Sequence, residues 1–248
     1  MKNDLIPLHH WVAHRGMPAH FPGNSFEGLQ AVLEAGACYV EFDIQLSADH
    51  VPLLFHDANL QRATGVNALV ADLPWEQIRT IPLLSGSTKP GRMTSLAEMV
   101  VLLGDYPKTT VFAEIKTAAL RRGVEPVKHI ILSTLLPLQG RCVPISFHAG
   151  CLRSIRESSA WPIGWIFETW SPRTRRQAER LSPEYLFANH ARMPTGAELF
   201  PGPWQWVLYE ISDPVLAWHW LNQGASLIET NDLYGVVENH DDGTRRSG

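Results

Sequence analysis

Cysteine is scarce in this sequence: Cys38, Cys142 and Cys151 are the three in 248 residues, odd in number, without C-x-x-C spacing and set in or beside apolar segments. That argues against a disulfide framework and a thiolate metal site, and it favours a reducing compartment, expected to be the cytoplasm. Long hydrophobic runs are missing as well. No apolar stretch reaches the roughly 18 residues of a membrane span, and the opening residues, with one lysine, lack a signal-peptide core, so neither export nor stable membrane association is expected. An excess of basic charge is also absent. Lysine and arginine number 21 against 25 aspartates and glutamates, a net charge of -4, which removes the broad electrostatic ground for holding nucleic acid or an anionic bilayer. The turn Gly16-Met17-Pro18-Ala19 is neither a G-x-G-x-x-G nor a P-loop, so nothing announces a dinucleotide-binding open sheet.

What is present is a chain 45% hydrophobic and long enough to bury one large core. Eight β-branched or aromatic runs fall at 11–14, 39–45, 110–116, 142–147, 162–167, 185–189, 206–211 and 226–231. Segments of helical periodicity lie between them at 25–35, 95–103, 124–136, 149–157, 173–181 and 214–222, several opened by Ser, Asp or Pro and closed by Gly. Repeated βα units of this number predict a (β/α)8 TIM barrel occupying 1–238 as a single catalytic domain. The stretch 46–109 holds an extra strand-like run, 51–55, and a Gly/Pro/Ser-rich passage, read as a small insertion on the barrel rim after the second strand. Residues 239–248 are polar and aperiodic and read as a disordered tail.

Strand alternation isolates the chemistry. In Glu41-Phe42-Asp43, residues two apart share a face, so Val40, Phe42 and Ile44 turn to the helices while Glu41 and Asp43 turn into the lumen. Two carboxylates so placed repel each other and lose hydration unless a cation compensates. In Val111-Phe112-Ala113-Glu114-Ile115-Lys116 the same alternation sets Glu114 and Lys116 on one face, adding a third carboxylate and a cation. An all-oxygen set of this kind suits one hard divalent ion, Mg²⁺ or Ca²⁺, with Mn²⁺ as a substitute. His14 and His56 each end a strand-like run and would reach the C-terminal rim, where two imidazoles flanking a phosphate can remove one proton and supply another. Arg15 and Lys116 offer positive charge to non-bridging oxygens. The competing structural reading makes these histidines local hydrogen-bonding groups and the two cations ion-pair partners. His9, His10, His20, His129, His219 and His240 are assigned to surface or local structure, and the Trp-rich segment with Trp204, Trp206, Trp218 and Trp220 to packing.

Taken together, His14-Arg15-Gly16, Asn24-Ser25, Glu41-Phe42-Asp43, His56-Asp57 and Glu114-Ile115-Lys116 resemble the glycerophosphodiester phosphodiesterase family, with its H-R-G, E-N-[ST], E-x-D, H-D and E-I-K strings in that order. The later segment 224–231 resembles the family's closing G-V-D-G-I-I-T-D. The resemblance implies a TIM barrel that hydrolyses small glycerophosphodiesters to sn-glycerol 3-phosphate and an alcohol. It further implies Glu41, Asp43 and Glu114 as metal ligands, His14 and His56 as general acid and base, and Arg15 and Lys116 as phosphate contacts. Alternatives from the same resemblance are a phospholipase D type reaction on lysophospholipids and a barrel that binds phosphodiesters without turnover. Three departures stand out. Gly23 replaces the glutamate before Asn24, with Glu27 as a candidate substitute; Tyr209 and Ser212 replace the Trp and Asn of a W-T-V-N strand, which makes Tyr209 a candidate substrate contact; and Asn231 replaces the final aspartate.

Overall fold

The computed structural model describes residues 6–84 and 90–236. Its strands are β1 (Trp11–His14), β2 (Tyr39–Leu46), β3 (Pro52–Leu54), β4 (Thr110–Ile115), β5 (Cys142–Ser146), β6 (Gly164–Phe167), β7 (Tyr185–Asn189), β8 (Gln205–Tyr209) and β9 (Leu227–Thr230). Strand β1 pairs in parallel with both β2 and β9, so eight strands close a parallel barrel, and β3 lies antiparallel along the end of β2. The (β/α)8 expectation is therefore met, with β3 as the extra strand of the insertion. The expected helices are α1 (Phe26–Glu34), α4 (Leu96–Gly104), α5 (Val124–Leu135), α6 (Ala149–Ser158), α7 (Pro172–Leu181) and α8 (Pro214–Asn222), while α2 (Gln61–Thr64) and α3 (Trp75–Ile78) are short turns within the insertion.

Local chemistry accounts for the element ends. Ser25 caps α1 by accepting from the Gly28 amide, and Ser95 with Glu98 forms a reciprocal capping box on α4. Ser171 and Asp213 cap α7 and α8, each followed by a proline at the first helical position. The sixth strand starts at Gly164 rather than 162, where a proline has no N–H for the ladder. The strand expected to run to 211 stops at Tyr209, because Glu210 turns into the left-handed region at φ 65°.

Alternation divides the core into two layers. Val40, Phe42, Ile44, Val111, Ala113 and Ile115 pack outward against helix residues such as Leu29, Val32 and Met99. Inside the barrel, Val12, Phe112, Val143, Ile145, Ile166 and Phe187 fill the lumen. Phe112 stacks on Tyr39 and meets Tyr185 and Phe187 edge-on, with centroids 4.9 to 5.8 Å away. The lumen below the rim is thus solid, and polar groups have room only at its C-terminal mouth. The insertion carries its own small core, with Leu53, Phe55, Leu60, Val70, Ile78 and Leu83, and this fixes the chain on both sides of His56. Trp204 and Trp206 pack with Phe200 in the outer core, as the packing reading expected. The predicted tail at 239–248, with His240, lies outside the described residues. Among the described residues, no helix is long and apolar enough to cross a membrane.

Candidate active site

Glu41 and Asp43 lie in the lumen at 2% and 0% exposure, and β2–β4 pairing sets Glu114 directly beside Asp43. One carboxylate oxygen from each of the three lies within 4.8 Å of the others. The three are held differently. Asp43 forms ion pairs with Arg15 Nε at 2.8 Å and Lys116 Nζ at 3.2 Å, accepts from Asn24 Nδ2 at 2.8 Å, and donates its backbone N–H to Asn24 Oδ1 at 3.0 Å. Glu114 meets Lys116 Nζ at 2.8 Å. Glu41 Oε2 accepts from the Arg15 backbone N–H at 3.2 Å, whereas its buried Oε1 has no hydrogen-bond partner among the described residues.

The electrostatics follow from that arrangement. Burial pushes the Glu41 carboxyl well above its ordinary range, and its neighbours Asp43 and Glu229 push the same way. Burial also raises Glu114, to about 7, with Asp43 adding to the effect. Asp43 goes the other way: burial opposes its charge, but Arg15, Lys116 and the Asn24 amide hold it ionised. Three buried carboxylates converging at this distance, one of them with an unpartnered oxygen, fit the coordination needs of a hard divalent ion.

The turn after β1 is shaped by two left-handed residues, Arg15 at φ 53° and Gly16 at φ 80°. A Cβ at Gly16 would sit 2.7 Å from the Gly28 carbonyl carbon, so only glycine lets the turn pass against α1. Asn24, also left-handed at φ 64°, carries the amide that clamps Asp43. No carboxylate fills the place expected before it: a Cβ on Gly23 would meet Arg15 and Pro18 at 3.6 Å, in open contact. Glu27 does not substitute, since it accepts the Arg92 backbone N–H at 2.9 Å, a residue of the α4 approach.

Both expected histidines reach one mouth. His14 points its Nδ1 at Asn231 Oδ1, 2.7 Å away, and its Nε2 toward Glu229 at 3.3 Å and Glu41 at 3.8 Å. Burial, helped by the charge of Arg15, lowers His14 to about 3. His56 donates Nδ1–H to Asp57 at 2.6 Å, and Arg62 braces that carboxylate through Nε at 2.6 Å and Nη2 at 2.9 Å. Burial lowers His56 as well, against the pull of Asp43. His14, Arg15, His56, Glu114, Lys116 and Tyr209 all line one open cavity of about 330 Å³. Burial pushes the Tyr209 phenol upward, so it stays protonated. Ser212 lies off this cavity and shares a hydrogen bond with Thr230 at 3.0 Å.

Sequence reasoning missed four residues at this mouth. Asn24 entered only as part of a motif, and nothing in the sequence gave its positive φ. Asn189 Nδ2 donates to Glu210 Oε2 at 2.6 Å, and both line the cavity. Glu229 is 4% exposed and also lines it; the period-two pattern Leu227, Glu229 was the available signal.

Comparison with known proteins shows the family and the fold. The model of the glycerophosphoryl diester phosphodiesterase family matches residues 14–199. A glycerophosphodiester phosphodiesterase of Caldanaerobacter subterraneus subsp. tengcongensis is 29% identical over 185 residues, covering 71% of this chain and 75% of that protein. Bovine glycerophosphodiester phosphodiesterase 1 is 36% identical over 70 residues, which is 28% of this chain and 21% of the bovine one. Among solved structures, an Oleispira antarctica phosphodiesterase in complex with the product sn-glycerol-3-phosphate superimposes with TM-score 0.78 at 19% identity, covering 94% of this chain and 96% of that one. A glycerophosphodiester phosphodiesterase from Parabacteroides distasonis gives TM-score 0.75 at 18% identity, covering 96% and 98%.

Proposed function

This chain belongs to the glycerophosphoryl diester phosphodiesterase family, and on that premise we propose that it hydrolyses a small glycerophosphodiester to sn-glycerol 3-phosphate and an alcohol, with His14 and His56 as the acid/base pair. The observation that carries this reading is the convergence of both imidazoles, Glu41, Glu114, Arg15 and Lys116 on one cavity at the barrel mouth, with the Asp43 carboxylate clustered against Glu41 and Glu114.

Glu41, Asp43 and Glu114 are the residues that would hold one divalent ion, Mg²⁺ or Ca²⁺. Once bound, such an ion draws negative charge from the phosphate's non-bridging oxygens and offsets the repulsion among the three carboxylates. The remaining work falls to the chain. Arg15 and Lys116 bring positive charge to the phosphate while their pairing with Asp43 and Glu114 fixes where they stand. His56 holds a proton at Nδ1 toward Asp57, which leaves Nε2 as the atom that exchanges a proton with the substrate. The amide oxygen of Asn231 accepts at Nδ1 of His14, so Nε2 is again the working atom. Between them, one imidazole takes the proton of the attacking oxygen and the other protonates the departing alkoxide. Tyr209 lines the same cavity and is assigned to contact with the glycerol or alcohol part.

The test is release of sn-glycerol 3-phosphate from glycerophosphocholine and glycerophosphoethanolamine by chelator-stripped protein given Mg²⁺, Ca²⁺ or Mn²⁺ in turn. Ion-restored release is expected, falling by about two to four orders of magnitude in His14→Ala and in His56→Ala. Release that survives either substitution would remove the histidines from the reaction, and release without any ion would remove the metal.

A further inference from the structure

Glu229 is the buried ionisable group at the mouth that the proposed reaction leaves without a part. It lies on β9, and the β1–β9 register pairs Ala13 with Thr230, which brings the following residue of β1, His14, against this strand's end. Glu229 Oε1 is 3.3 Å from His14 Nε2, and Asn231 Oδ1 is 2.7 Å from His14 Nδ1. Two residues of one strand end, two apart and so on one face, thus address both nitrogens of one imidazole. In the closing string G-V-D-G-I-I-T-D that segment 224–231 resembles, the place of Asn231 carries the aspartate and that of Glu229 an isoleucine. In this chain the carboxylate stands one lumen position earlier.

A ring tied at Nδ1 to a neutral amide alone keeps freedom to swing about that bond, and a second contact at Nε2 removes that freedom. Glu229 is 4% exposed, and the His14 imidazole lies 3.3 Å from its carboxyl. We propose that Glu229 is a positioning residue for His14, fixing the orientation of the ring from the Nε2 side before the substrate takes over that nitrogen, in place of the carboxylate that position 231 lacks. The inference rests on His14 being the acid/base group.

The proposal predicts a reciprocal rescue. Glu229→Ile should lower kcat for glycerophosphocholine on the order of 10- to 100-fold with little change in KM, as misplacement of a reacting group does. Glu229→Gln, whose amide keeps the size and hydrogen-bonding capacity of the side chain, should keep most of the rate. The double variant E229I/N231D, which returns the carboxylate to the other side of the ring, should regain what E229I loses. The ¹⁵N shifts of the His14 imidazole should move in E229I and return in E229I/N231D, a readout independent of turnover. Thermal melts check folding, with Glu229→Ala as the second truncation if isoleucine is not accepted. Wild-type kcat and unmoved imidazole shifts in E229I overturn the proposal while leaving the reading of His14 intact. A loss that neither E229Q nor E229I/N231D repairs, accompanied by weaker Mn²⁺ binding in calorimetry, overturns it in favour of Glu229 as a cation ligand. Full activity in His14→Ala sinks the underlying reading, and the imidazole shifts then judge the contact by itself.

Discussion

At the scale of single residues, the site sets an ionised Asp43 among carboxyls that resist ionisation. Glu114 is raised to about 7 and Glu229 to about 8, both chiefly by burial. A carboxyl whose folded pKa lies above its unfolded value stabilises the fold fully below the unfolded value of about 4.5, and that contribution is lost as pH rises through the folded value. Chelator-treated protein should therefore lose Tm as pH rises from about 4.5 to about 8, and added Mn²⁺ should restore it most at the upper end, where the ligands are free of protons. A Tm that rises over this window would contradict the assignment. Asn24 supports Asp43 with both ends of its amide, from a backbone that glycine tolerates at φ 64°. Asn24→Gly removes the clamp without straining the turn, and it should weaken Mn²⁺ binding on the order of 10- to 100-fold by calorimetry. The alternation in 41–43 and 114–116 revealed which side chains converge, since period two is a local property. The amide clamp was not legible, because it joins Asn24 to Asp43 through a left-handed turn that the string Asn24-Ser25 does not announce.

At the scale of elements, short connections hold the barrel staves in place at the end away from the chemistry. Arg156 of α6 grips Glu184, just ahead of β7, at 2.8 and 2.9 Å, and Glu184 Oε2 also accepts the Ile163 backbone N–H ahead of β6 at 2.8 Å. Partial burial opposes the charge on Glu184, but Arg156 and the Ile163 amide hold its carboxyl below the usual range. A depressed folded pKa gives stability above the unfolded value that disappears as pH falls through the folded one. Glu184→Gln should therefore lower Tm at pH 7 and leave it nearly unchanged near pH 3, so its melting curve against pH is flatter on the acid side. A parallel shift at both pH values would mean that the charge is not what the contact uses. The helices α7 and α8 were legible from Ser or Asp followed by Pro, a signal confined to three or four residues. The end of β8 was not, because it depends on Glu210 turning left-handed to meet Asn189 of the neighbouring strand.

At the scale of the whole molecule, the solid lumen is what confines the polar groups to the mouth. Phe112 is fully buried there among Tyr39 of β2 and Tyr185 and Phe187 of β7. Phe112→Ala should cost about 3–5 kcal/mol by denaturant unfolding; a cost near zero would mean that the lumen is not a packed layer. What the sequence determined by itself was local: period-two strands, capped helices, the turn at Gly16, and the face on which each carboxylate stands. Those follow from bonding and sterics within a few residues, and they were enough to predict a barrel with an oxygen-ligand cluster. What only the tertiary structure decided was long-range: closure of β1 against β9, which sets Glu229 and Asn231 around His14, and the insertion's separate core, which carries His56 to the same mouth. Such contacts join residues far apart in the chain, so their geometry is set by how eight strands tilt and close rather than by any neighbouring residue.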